Sequence, residues 1–93
     1  MLTKIVKSHL PSKKWDAVFL IDGKQRIIPF GQNGAQDLTI HKNESRAVSY
    51  RKRHAKDNLN NPLSPGALSY YILWSSTSLN EGLKNYKQKF PSM

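Results

Sequence analysis

The sequence predicts a small α+β domain, an N-terminal β-hairpin packed on about three α-helices, and three observations predict it. Two β-prone runs flank a Gly-containing turn near the N-terminus. The second half carries helix caps followed by apolar residues at helical spacing, and one segment is apolar nearly all the way round. With 93 residues, 38% of them hydrophobic and nine aromatic, the chain has the length and composition of a single small core. A domain of this size buries roughly 60–65% of the surface its unfolded chain exposes, so its stability is thin.

The elements follow in chain order. Residues 1–13 read as a basic N-terminal arm ahead of a single domain over 14–93, the segment before Trp15 holding Pro11 and four lysines. From Lys14 to Phe30 the chain reads KWDAVFLI, DGKQ and RIIPF. Trp15, Ala17 and Phe19 alternate on one face, and the DG pair marks a hairpin turn. Pro29 cannot donate to a ladder, which places the second strand at an edge. Gly31, Asn33 and Gly34 mark a loop, and Leu38 to His41 reads as a short third strand. Asn43 is a helix cap, and no Gly or Pro interrupts the chain from there to Asp57. Within that first helix Ala47, Tyr50 and His54 form a narrow stripe. Arg46, Arg51, Lys52, Arg53 and Lys56 fill the remainder, so the helix docks shallowly with its charge outward. Ser64 followed by Pro65 starts a second helix, and its ALSYYILW run is the buried centre. Ser78 with Glu81 matches a capping box for the third, in which Leu79, Leu83, Tyr86 and Phe90 recur at helical spacing.

Fifteen Lys and Arg against six Asp and Glu give a net charge of +9, which draws a protein to polyanions or acidic protein surfaces. The absence of cysteine excludes disulfides and thiolate zinc sites and fits a reducing compartment. The longest apolar-rich run has eight residues, where a membrane helix needs about twenty; lysines 4 and 7 interrupt any signal-peptide core, and a soluble chain is expected.

The run RKRHAK, residues 51–56, concentrates four cations and a histidine. Three readings stand for it: a solvated helix face, a contact with a polyanion or acidic partner, and a basic import signal. Arg46, Tyr50, Arg51, Lys52, Arg53 and Lys56 are the candidate residues for an anionic partner. No Asn or Gln lies among those six positions to read adenine, and neither heptads nor zinc ligands follow, so base-specific readout is not expected. His41 and His54 stand thirteen apart, with Asp37 the one acid of note nearby, so no metal is expected. Gly31 to Gly34 lacks the lysine and serine of a phosphate loop. No nucleophilic triad or carboxylate pair is evident, so the sequence points to no enzyme, no cofactor and no small-molecule substrate.

From Phe30 onward a set of residues carries a resemblance: Phe30-Gly31, Gly34, then Asp37, Thr39, His41 and Lys42, then Arg46, Tyr50, Arg53-His54, Asn58 and Pro62. It continues through Gly66, Leu68, Ser69, Ile72 to Trp74, Leu79, Tyr86 and Phe90. In these the chain resembles a family of small basic proteins, of unknown function, encoded by large nucleocytoplasmic DNA viruses of algae and other protists. It departs from that pattern at Leu38 and Leu59, where the family often carries aromatic residues. The resemblance implies a viral origin and a place in the virion, after synthesis in the host cytoplasm or nucleus. Joined to the charge, it leads to two expected functions. One is a minor capsid component that cements larger shell proteins through a basic surface; the other is a non-specific DNA-binding protein that condenses or packages the genome. The expected partners are accordingly other viral structural proteins or DNA.

Overall fold

In a computed structural model that describes residues 1–57 and 59–93, the chain forms an α+β domain. Asn58, one of the residues that carry the resemblance, lies outside the described residues. Three antiparallel strands, β1 (Leu2–Lys7), β2 (Lys13–Ile21) and β3 (Lys24–Gln32), form a sheet in that order. Four helices follow: α1 (Leu38–His41), α2 (Glu44–His54), α3 (Pro65–Leu68) and α4 (Leu79–Lys89). A π-helical segment, Ser69–Leu73, continues directly from α3.

The hairpin forms because Asp22 and Gly23 both take positive φ, 52° and 76°, the geometry that matches the twist of two flanking strands. Its register sets Ala17 opposite Ile28 and Trp15 opposite Phe30. β3 lies at the sheet edge, where the missing N–H of Pro29 costs no ladder bond.

Residues 1–13 do not form an arm. Leu2–Lys7 pair with β2, with Leu2 opposite Phe19 and Ile5 opposite Ala17, and the register shifts between Leu2 and Lys4. That bulge spaces the two core-facing residues of β1 three apart instead of two, which hides the period of a strand. The β1–β2 turn is fastened by the buried Asp16 carboxylate, which accepts from the Ser8 hydroxyl at 2.7 Å and the His9 N–H at 3.0 Å and meets His9 Nδ1 at 2.5 Å.

Leu38–His41 is a helical turn where a third strand was expected. The Asp37 side chain accepts from Thr39 N–H at 2.9 Å and from the Thr39 hydroxyl, and Lys42 closes the turn in the left-handed region at φ 56°. A four-residue run is too short for periodicity to decide, and the aspartate cap decides it.

One face of the sheet holds the core. Leu2, Ala17, Phe19 and Phe30 pack against Ala67, Leu68, Ile72, Leu73, Tyr86 and Phe90. The Ser64 cap predicted for the ALSYYILW helix is present, its hydroxyl accepting from Ala67 N–H at 3.4 Å. The helix then widens to π geometry, a form whose extra residue per turn re-aims the side chains beyond it. Ile72 and Leu73 stay buried while Trp74, at φ −122°, leaves the helix. Helix α4 starts at Ser78 as expected, and the Tyr86 hydroxyl donates to Pro62 O at 2.6 Å. Gly82 of α4 lies so close to the Ile72 carbonyl group that a Cβ there would collide with it.

The other sheet face stays partly open to solvent. There Val18 is buried while Val6, Leu20 and Ile27 stand 37%, 49% and 45% exposed. No helix among the described residues is long and apolar enough to cross a membrane.

Candidate anionic-partner interface

Helix α2 is capped by Asn43, whose side chain accepts from Arg46 N–H at 3.3 Å. Glu44 in its first turn and the cations in its last both complement the helix dipole. It ends at His54, three residues before the Asp57 expected from the sequence, and leaves Lys56 just beyond.

The contacts that hold α2 to the body are aromatic. Tyr50 stacks on Trp74 with centroids 4.1 Å apart and planes 5° from parallel, and His54 lies 4.2 Å from Tyr50. The His41 ring sits 5.4 Å from Trp74. Its Nδ1 accepts the Asn43 N–H at 2.8 Å, which puts the proton of the neutral ring on the buried Nε2. Burial pushes the Tyr50 hydroxyl above its ordinary pKa; Asp57 and Asp37 add to this and Arg53 opposes it. The ring in the stack is therefore neutral at physiological pH.

The predicted site residues divide into two groups. Arg51 points inward: its Nη1 donates to Trp74 O at 2.5 Å, and Nη2 lies 4.0 Å from Glu44. With Tyr50 stacked and Arg51 anchoring, both act as struts, which corrects the expectation that every arginine of RKRHAK faces outward. Arg46, Lys52, Arg53 and Lys56 are exposed, and among the described residues none of them makes an ion pair. At about 100° per residue, Lys52, Ser45, Ser49, Arg53 and Arg46 occupy roughly 120° of the helix circumference, and no Asp or Glu shares that arc.

Within this arc Ser45, Arg46, Ser49 and Arg53, with Trp74, line an open groove of about 330 Å³. The sequence reading missed Ser45, Ser49 and Trp74. The i, i+4, i+8 spacing of Ser45, Ser49 and Arg53 is the one signal that pointed to them. Trp74, twenty-one residues beyond Arg53, is brought in by the end of the π-helical segment.

On the other side of Trp74 lies a more enclosed pocket of about 280 Å³, lined among others by Lys14, Asp37, Tyr50 and His54. Its charged groups are already committed. Lys14 Nζ donates to Asp37 Oδ2 at 2.5 Å and to Ala35 O at 2.7 Å, and His54 Nδ1 meets Asp57 Oδ2 at 2.7 Å. Asp37 serves both Lys14 and the cap of α1, an arrangement that holds the loop after β3 in place. Among the described residues no three of His, Asp and Glu gather as metal ligands would.

No curated protein and no solved structure matches the chain. A family model does match residues 3–54, from β1 through the end of α2, which covers the sheet and every residue of the groove except Trp74. The chain belongs to DUF5754, a family of unknown function.

Proposed function

We propose that the protein is a non-enzymatic structural protein and, following the resemblance to proteins of large DNA viruses, a minor capsid component that cements larger shell proteins. The reading rests on one observation: the domain leaves two surfaces of different chemistry uncovered. One is the acid-free cationic face of α2; the other is the apolar outer face of the sheet around Val6, Leu20 and Ile27. A small protein with one basic and one apolar contact surface is suited to join two neighbours. The basic face steers toward acidic surfaces and the apolar face gains from burial. A thin core is no handicap in this role, because binding to the folded state adds stability by mass action.

A second reading gives the α2 face to DNA, bound without sequence preference during packaging. Ser45 and Ser49 favour it, since hydroxyls interspersed with arginine and lysine are the usual donors to backbone phosphates.

The test is fractionation of the virus particle into emptied shells and released genome. The cement reading expects the protein to stay with the shells at both low and high salt. Departure with the DNA would overturn it in favour of the second reading.

A further inference from the structure

We propose that the groove on α2 seats one phosphate of a nucleic-acid backbone, held between the guanidinium groups of Arg46 and Arg53, with the Ser45 and Ser49 hydroxyls donating to its non-bridging oxygens. This rests on the second reading above, in which the cationic face meets DNA, and names the residues and the chemistry of the contact.

Three features converge on a phosphate. Arg46 and Arg53 stand seven residues apart, about 10 Å along the helix axis, and both side chains line the same groove, so their forks approach one ligand from its two ends. Beside them, Ser45 and Ser49 lie one turn apart and supply two neutral donors, the mixture of charged and hydroxyl donors that backbone phosphates attract. Among the described residues no carboxylate lines the groove, and Lys52 and Lys56 continue the cationic surface toward and beyond the helix end. From Arg46 to Arg53 the cations of the helix extend over about 10 Å, with Lys56 beyond its end. That suits a polymer whose charges recur at short intervals along a line.

The same geometry argues against reading of bases. The Tyr50 ring already covers one face of the Trp74 indole in a parallel stack at 4.1 Å, and Trp74 presents a wall to the groove. Tyr50 and Trp74 thus fix the helix and shape the seat, and the phosphate contacts carry the binding. The interaction is therefore indifferent to sequence.

The experiment measures affinity of the whole protein for a random-sequence DNA duplex across a salt series, with circular dichroism confirming the fold of each variant. In Arg46→Ala/Arg53→Ala the slope of log K against log salt flattens by about 1.8, and affinity near 0.15 M salt falls about 30-fold. Ser45→Ala/Ser49→Ala weakens binding severalfold and leaves the slope unchanged, because no charge is lost. Lys84→Ala/Lys87→Ala removes the same charge from the exposed face of α4 and changes affinity less than about threefold. An unchanged slope in the arginine variant, or equal losses in the arginine and lysine variants, overturns the seat while leaving DNA binding intact. If the unaltered protein does not bind DNA at physiological salt, the second reading itself fails, and the seat with it. Displacement of the DNA by polyglutamate at equal charge concentration would reassign the groove to carboxylates and overturn the proposal.

Discussion

Replacing Gly82 by alanine sets two well-known effects against each other. In an exposed helix interior, alanine is favoured over glycine by about 1 kcal/mol, because glycine loses more backbone freedom on folding. At position 82, however, the new Cβ would lie 2.7 Å from the carbonyl carbon of Ile72 and 3.0 Å from its Cα, with the carbonyl oxygen nearer still. These are backbone atoms of the π-helical segment, which cannot rotate aside as a side chain would. Relief requires α4 to move outward, and α4 contributes Tyr86 and Phe90 to the core. Overpacking of this kind costs about 1–3 kcal/mol, and partial exposure of one aromatic adds about 1.5 kcal/mol or more. Less the gain in propensity, the net loss is about 2–3 kcal/mol. For a chain of this length that corresponds to a drop in Tm of about 10–20 °C. Thermal unfolding followed by far-UV circular dichroism and by tryptophan fluorescence measures it. The internal comparison is Gly66→Ala in α3, where the Cβ would meet only the Ser64 hydroxyl at an ordinary 3.5 Å and the same propensity gain stands unopposed. Gly66→Ala should therefore be neutral or stabilising by up to about 1 kcal/mol. A Gly82→Ala protein as stable as the parent, or more so, would refute the close packing of α4 on Ile72.

Arg51 and Arg53 should separate stability from binding. Arg51→Ala removes the hydrogen bond to Trp74 O and costs about 1–2 kcal/mol in urea unfolding, whereas Arg53→Ala stays within about 0.5 kcal/mol of the parent and weakens binding to anionic partners. Burial raises the pKa of the Asp16 carboxyl, but the hydrogen bonds from His9 and Ser8 outweigh it and hold the group below its ordinary 3.8. A depressed folded-state value means stability that is present above about pH 4 and lost as pH falls through that lower value. Tm should therefore drop more steeply below about pH 4 in the parent than in D16N. Burial pushes the Tyr86 hydroxyl up to about 12, so it remains a donor to Pro62 O through the whole working range. Tyr86→Phe strands that carbonyl and should cost about 1 kcal/mol, with a tyrosine absorbance titration losing its latest-ionising component.

The hairpin, the caps at Asn43, Ser64 and Ser78, and the two-part character of α2 were legible in the sequence because each depends on neighbours within a turn or two. Asp22-Gly23 specifies its turn wherever it occurs between β-prone runs, and a serine or asparagine cap satisfies backbone groups three residues away. Elsewhere the deciding interaction lies farther off in the chain or breaks a period. The bulge between Leu2 and Lys4 disguised β1, and only pairing with Phe19 and Ala17 across the sheet makes that strand visible. At Leu38–His41 the Asp37 cap outcompeted strand formation. The site shows the same division. Composition by itself determined that the protein carries a strong positive field, and helical spacing determined which cations share α2. Only the tertiary structure decided which of them remain free to meet a partner. The packing of Trp74 against Tyr50 rotates Arg51 inward to the Trp74 carbonyl and leaves Arg46 and Arg53 to frame a groove with Ser45 and Ser49. A sequence records the charge of an arginine, but the face it occupies is set by what its helix packs against, and here that is a residue more than twenty positions away.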